Sequence, residues 1–201
     1  MSIEINEAFS VKAHSDVVWR FLTTPQEVVQ CLPGAELTEV LGERQYAGRV
    51  KVKVGAVTAM YAGKATLAEV DDAARRMRLV GEGRETGGAG SAKMTMLGSV
   101  TPNAAGGSDV RVDATIDIAG KVMQFGRGLV ESVSAQLFKQ FVEQAKARLE
   151  TASVVASTGA LGASRGEQAA DSPSAAAREL RLIPLLWRAL IDWLRRHFRS
   201  G

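Results

Sequence analysis

Two histidines, His14 and His197, and one cysteine, Cys31, are all that this chain offers of the residue types that most often ligate metals or attack substrates. A zinc site needs three or four ligands closing on one point. The two histidines sit near a helix start and near the chain end, so they do not form a metal cluster. No G-x-S-x-G elbow, Walker loop or H-E-x-x-H motif occurs. Cys31 has no nearby histidine to lower its pKa, which makes it a structural thiol, and alone it can form no internal disulfide. An acid/base pair such as Glu39 with Asp113 would need both carboxylates to face inward, and strand alternation puts both on the solvent face. Gly81-Glu82-Gly83 and Gly87-Gly88 are strand and turn glycines rather than a phosphate cradle. The expectation is an accessory protein without catalysis, metal or covalently bound cofactor.

The residues that do form a set are small and apolar. Along the central strands one alternation phase reads Tyr46, Gly48, Val50, Val52, Val57, Ala59, Tyr61, Gly63, Leu79, Gly81, Ala92, Met94, Met96 and Gly98. Glycine and alanine leave room on that face, and two methionines give it an adaptable lining. A sheet that faces a long helix across small side chains encloses a ligand-sized space. The competing explanation is that the glycines relieve strand bending and close packing. Taking the cavity, we expect Tyr46, Val50, Ala59, Tyr61, Gly63, Met94, Met96, Phe125, Leu129 and Val133 to line it. Few polar groups converge there, so the ligand should be a hydrophobic small molecule.

The elements that must position these residues follow from period and punctuation. Ile3, Ile5, Phe9 and Val11 alternate with polar residues as a first strand. Ser15 and Asp16 can cap a short helix carrying Val17, Val18, Phe21 and Leu22. Thr24-Pro25-Gln26-Glu27 reads as a cap, a first-turn proline and a capping-box acid, and Pro33-Gly34 ends that second helix. Period two then predicts strands near 36–42, 45–54, 57–70, 75–86, 91–101 and 109–119, parted by Leu41-Gly42-Glu43, Gly55, Asp71-Asp72, Gly87-Gly88 and Gly106-Gly107. Links this short impose an antiparallel meander. Met123, Leu129, Val130, Val133, Leu137, Phe138, Phe141, Val142, Ala145 and Leu149 recur at helical spacing, a helix of about 27 residues or about 40 Å. It alone is long enough to cover the apolar face of the sheet. The order is that of an α+β helix-grip domain: a curved antiparallel seven-stranded sheet wrapped around a long C-terminal helix, over residues 1–150.

Beyond that domain the composition changes. Residues 151–178 are mostly Ala, Ser, Gly and Thr, interrupted by Gly159, Gly162, Gly166 and Pro173. Such a segment cannot bury enough surface to offset its ordering entropy, so a flexible linker is expected rather than an Ala-rich extension of the helix. Residues 179–201 then form an amphipathic basic helix. Leu186, Trp187, Leu190, Trp193, Leu194 and Phe198 share one half of its wheel, and Arg188, Arg195, Arg196 and Arg199 fall opposite. A wide apolar face with Trp at its margins and Arg behind suits a membrane interface; a partner groove or docking on its own domain are the alternatives. The formal net charge is +3, and the excess lies wholly in this tail, so the domain has no basic face of the kind that nucleic acid requires. The N-terminus lacks the features of a signal peptide, and no apolar run is long enough to span a bilayer as a helix. The location expected is peripheral, on the cytoplasmic face of the cell membrane.

Val18-Trp19-Arg20-Phe21-Leu22, Pro25, Cys31-Leu32-Pro33-Gly34-Ala35-Glu36 and Phe125-Gly126-Arg127-Gly128-Leu129-Val130-Glu131-Ser132-Val133 resemble the motifs of the CoxG family of carbon monoxide dehydrogenase accessory proteins, within the START/polyketide-cyclase, Bet v 1-like superfamily. The resemblance covers residues 1–150, and the tail in character. It implies a helix-grip fold with a hydrophobic pocket and association with a molybdenum hydroxylase complex of the carbon monoxide dehydrogenase type, which the accessory protein links to the cytoplasmic membrane. It supplies no catalytic residues. An isoprenoid quinone, or another lipid, is the ligand we expect, because a respiratory acceptor dissolved in lipid must reach a soluble enzyme. A pure recruitment adaptor without ligand, and a cyclase or hydrolase acting on an aromatic ligand, are the alternatives.

Overall fold

The computed structural model describes residues 1–55 and 57–162. Seven antiparallel strands form one sheet in the order β1-β7-β6-β5-β4-β3-β2. They are β1 (Ser2–Val11), β2 (Ala35–Gly42), β3 (Gln45–Val54), β4 (Val57–Asp71), β5 (Arg76–Glu85), β6 (Ser91–Pro102) and β7 (Ser108–Ala119). Short helices α1 (Ser15–Leu22) and α2 (Pro25–Val28), with a 3-10 turn at Val29–Cys31, join β1 to β2. After β7 come a 3-10 turn at Lys121–Phe125 and the long helix α3 (Arg127–Gly162). Strand positions agree with the two-residue periodicity to within one residue at each end.

Four local expectations are corrected. The cap of α1 is His14, whose ring accepts from the Asp16 N–H at 3.4 Å, rather than Ser15 or Asp16. Thr24 stands at the start of α2 but caps nothing; its hydroxyl donates to the Arg20 carbonyl at 2.6 Å, since the preceding helix end also has an orphan acceptor to satisfy. The apolar pattern from Met123 onward is interrupted at Gly126, whose φ of 75° separates the 3-10 turn from α3. At its other end α3 runs on to Gly162, into the segment read as linker. Alanine has the highest helix propensity, and Ala152, Ala156 and Ala160 let the helix propagate beyond Glu150. The rest of the linker and the tail lie outside the described residues.

The core is in two pieces. One gathers α1, the far half of α3 and the strand ends above them: Val18, Trp19, Phe21, Cys31, Tyr46, Leu67, Met77, Val100, Val110, Phe141, Ala145 and Leu149. Side-chain bonds fix α1 there, Trp19 Nε1 donating to Asp72 at 2.8 Å and the buried Ser108 hydroxyl donating to the Ala13 carbonyl at 2.7 Å. The other joins the start of α3 to the opposite end of the sheet: Ile3, Ala59, Val122 and Val130, with Val52, Tyr61, Ile118, Phe125 and Val133 packed on them.

Candidate ligand-binding hollow

Between the two clusters the concave face of the sheet stays accessible. Gly63, Gly81, Gly83, Ala92, Met94 and Ile116 are all half-buried there. Register explains why the gap is wide. Gly48 pairs with Gly63, Gly63 with Gly83, and Gly83 with Ala92, so four adjacent strands present a row of residues with almost no side chain. Directly paired residues share a face. The next row runs Ala65, Gly81, Met94, Ile116. On the helix side, Val130 and Val133 belong to one cluster and Phe138 and Phe141 to the other, and half-buried Ser134 and Leu137 between them belong to neither.

The glycines differ in what they do. A Cβ on Gly63 would stand 2.0 Å from the Glu82 carbonyl oxygen and 2.6 Å from Gly83 Cα, so Gly63 is demanded by the bend between β4 and β5. Gly48 is similar, 2.8 Å from the Glu36 carbonyl oxygen. At Gly81 a Cβ would make only ordinary contacts, with the Met94 side chain at 3.5 Å and the Lys64 carbonyl oxygen at 3.9 Å. The nearest neighbour at Gly81 is thus the movable end of a thioether, with backbone no closer than ordinary contact. Bend relief and open space are both present, at different positions.

One polar atom is out of place in this setting. The Tyr61 hydroxyl is buried and has no hydrogen-bond partner. Burial pushes its phenol above the ordinary value, and the Glu85 carboxylate, paired across from it on β5, pushes the same way. The phenol therefore stays neutral and keeps its proton to donate. An unsatisfied buried donor costs about 1–3 kcal/mol, a cost that a ligand's carbonyl or hydroxyl would remove.

The ten lining candidates do not all meet there. Gly63 and Met94 are half-buried on the concave face and belong to neither cluster, and Tyr61 packs on the cluster of Ala59. Ala59, Phe125 and Val133 build the cluster that closes one end. Met96 packs against the other cluster, and Tyr46 lies within it, its hydroxyl donating to the Glu43 carbonyl at 3.3 Å. Tyr46 is therefore a core residue with a satisfied hydroxyl. Val50 and Leu129 are 39% and 38% exposed and stand at the rim. Gly83 and Ile116, which are not among the ten, are paired with Gly63 and Met94 on the same face. Strand period gives the face of a residue but not its level along the sheet, and only pairing register aligns Gly83 with Gly63.

Another concavity, of about 690 Å³, lies on the outer face around the β4 irregularity between Leu67 and Glu69. Of its charges, Arg78 is paired with Glu69 at 3.3 Å and Asp113 with Arg111 at 2.8 Å. Four strands separate Asp113 from Glu39, so that pair cannot act together. Cys31 is buried, which raises its thiol pKa, as expected of a structural cysteine. Among the described residues there is no group of His, Cys, Asp or Glu suited to a metal ion, and no helix long and apolar enough to cross a membrane.

A curved seven-stranded sheet gripping a C-terminal helix is the fold of START and polyketide-cyclase proteins, and solved structures agree. A conserved protein from Geobacillus kaustophilus superposes with a TM-score of 0.67 at 18% identity, over 74% of this chain and 96% of that one. The Zhui aromatase/cyclase from Streptomyces sp. R1128 gives 0.56 at 15%, over 75% and 94%. A START superfamily protein from Mycobacterium smegmatis gives 0.51 at 12%, over 74% and 97%. Residues 8–150 match the family model of CoxG, a subunit of carbon monoxide dehydrogenase, and the chain belongs to that family. No curated protein sequence gives a significant match.

Proposed function

We propose that this protein is a membrane-tethered carrier of a hydrophobic ligand, an accessory subunit that serves a molybdenum hydroxylase of the carbon monoxide dehydrogenase type and catalyses no reaction itself. The family name supports the enzyme partnership. The observation that carries the ligand is the buried, partnerless Tyr61 hydroxyl on the face of the sheet that carries the glycine row. One hydrogen-bond donor among aliphatic and thioether groups suits a molecule with a long apolar body and a carbonyl or hydroxyl head. A respiratory isoprenoid quinone has that form. The enzyme would reduce it with two electrons and two protons, and the carrier would exchange the quinol at the cytoplasmic membrane face. Sequence supports the tether, through the Trp- and Arg-flanked apolar stripe of residues 182–199.

The test is direct. Protein purified without detergent from its own cells, extracted into organic solvent, should yield a quinone by mass spectrometry in near-stoichiometric amount. Gly81→Leu, which fills the hollow against Met94, should abolish the yield while leaving the fold intact by circular dichroism. An empty extract, with no uptake of added menaquinone or ubiquinone, would overturn the ligand. Recovery of the enzyme on membranes by Gly81→Leu protein would then favour the pure adaptor.

A further inference from the structure

Between β7 and α3 the chain crosses the end of the sheet that the smaller cluster closes. A Cβ on Gly120 would stand 2.5 Å from Gly90 Cα, so the crossing starts against the β5–β6 turn. Further along, Phe125 Cε1 lies 4.0 Å from the point where a Cβ of Gly55 would stand, beside the β3–β4 turn. The 3-10 turn Lys121–Phe125 therefore runs from one hairpin to the next. On its inner side Val122 is 5% exposed, and half-buried Phe125 packs with it on Ile3, Ala59 and Val130. Lys121 and Gln124 are exposed.

Both ends of this segment have the same unusual backbone. Gly120 stands at φ 109°, ψ −163° and Gly126 at φ 75°, ψ 161°. This is the mirror image of an extended conformation, which glycine enters readily and other residues do not. Close packing explains Gly120, which touches Gly90, but not Gly126, where nothing lies within 4 Å of a Cβ. Gly126 is needed for its dihedrals and not for space, as a hinge is. Outside the two glycines the chain is pinned. Met1 and Ile118 exchange two bonds of 2.9 Å on one flank, and Arg127 donates to the Ser2 carbonyl at 2.9 Å on the other. Between them Met123 N–H donates to the Gly120 carbonyl at 3.1 Å and Gly126 N–H to the Met123 carbonyl at 3.3 Å, both within the segment. Among the described residues no hydrogen bond or ion pair joins Lys121–Phe125 to a strand. The segment can thus lift as a unit by breaking only the apolar contacts of Val122 and Phe125.

We infer that residues 120–126 are the gate of the hollow, hinged at Gly120 and Gly126, with Val122 and Phe125 as the plug that lifts away to let an apolar ligand pass. The role of the gate rests on the carrier reading given above. Its motion does not, and the two are measured apart.

Amide hydrogen exchange of the full-length protein, read by mass spectrometry, measures the motion without a ligand. Lys121–Phe125 should exchange at least tenfold faster than β7 and than α3 beyond Val130, through a local opening. Gly126→Ala puts a side chain where the closed backbone tolerates only glycine. It should speed exchange of the segment about fivefold or more and leave both flanks unchanged. Gly128→Ala is the control: nothing lies within 4 Å of its Cβ and its φ is not positive, so the same methyl is added without touching a hinge. Stopped-flow uptake of 1-anilinonaphthalene-8-sulfonate, a fluorescent apolar probe, measures the role. The uptake rate should level off as probe concentration rises, as entry through a gate requires. In Gly126→Ala that plateau and the release rate should both rise about fivefold, with affinity changed less than twofold; lost packing alone would lower affinity instead. Exchange of Lys121–Phe125 at the pace of the flanking elements, or equal rates in Gly126→Ala and Gly128→Ala, would overturn the gate. The unsubstituted protein supplies the first of these readings even if Gly126→Ala misfolds. Failure of every variant to take up the probe, with exchange as expected, would overturn the carrier reading and the gate's role with it, leaving a hinged segment without cargo.

Discussion

Tyr61 is where the physical chemistry of a single residue is most informative. Its hydroxyl is buried without a partner, while that of Tyr46, two strand rows away on the same face, is satisfied by a local carbonyl. Tyr61→Phe should therefore leave stability unchanged or raise it by about 1 kcal/mol, because an unpaired buried donor is removed. The same change should weaken ligand binding about fivefold to tenfold, one hydrogen bond being worth about 0.5–1.5 kcal/mol. Urea denaturation and ligand titration of the two proteins check the opposed signs. A folded phenol pKa above the ordinary 10.0 also fixes a pH dependence. Stability from this group is full below pH 10.0 and is lost as pH rises through the folded value, so Tyr61→Phe should blunt the alkaline loss. At the acid end the sign reverses. Asp109 is held below its ordinary 3.8 by hydrogen bonds from Ser10 and Asn103, so its contribution is present above pH 3.8 and lost as pH falls through the folded value. Asp109→Asn should flatten acid unfolding followed by circular dichroism.

At the scale of elements, strands β4 and β5 do two jobs that one residue type serves for different reasons. Gly63→Ala places a Cβ against neighbouring backbone and should cost about 1–3 kcal/mol, since a strand rather than a side chain must move. Gly81→Ala meets nothing closer than Met94 at 3.5 Å and has no positive φ, so it should stabilise by about 0.4–1 kcal/mol through the unfolded chain. Chemical denaturation of both variants separates them, and equal effects would show that the sheet bend is softer than the geometry states. Helix α3 bridges the two clusters, and its middle turn, with Ser134 and Leu137, belongs to neither. Phe141→Ala, in the packed half, should cost about 3–5 kcal/mol. Leu137→Ala should cost distinctly less, by the same measurement, because Leu137 is half-buried and outside both clusters.

The molecule as a whole joins a domain with a divided core to a basic, apolar C-terminal sequence. Deleting residues 179–201 should release the protein from anionic vesicles in a sedimentation assay, and the associated enzyme with it from cell membranes. Retention of the truncated protein would assign attachment to the domain or to the enzyme instead. A tether acts by raising local concentration, so removal should reduce delivery of ligand to the enzyme far more than affinity for ligand in solution.

The amino-acid sequence by itself determined the order of the strands and helices, the apolar face of each, the short turns that force a meander, and the resemblance that led to the family. These are legible because alternation, helical spacing and Gly or Pro punctuation act over a few residues. It also presented the competing accounts of the glycines without deciding between them. Tertiary structure decided that question position by position: backbone of the next strand crowds Gly63, a movable side chain faces Gly81, and pairing register lines Gly48, Gly63, Gly83 and Ala92 into one row. It also removed Tyr46 from the hollow and left Tyr61, on the face of the glycine row, with an idle hydroxyl. Such facts depend on residues distant in the chain meeting across strands, where a one-residue change of register would reverse them. Helix α3 illustrates the remaining difference, since its extension to Gly162 follows alanine's intrinsic helix preference.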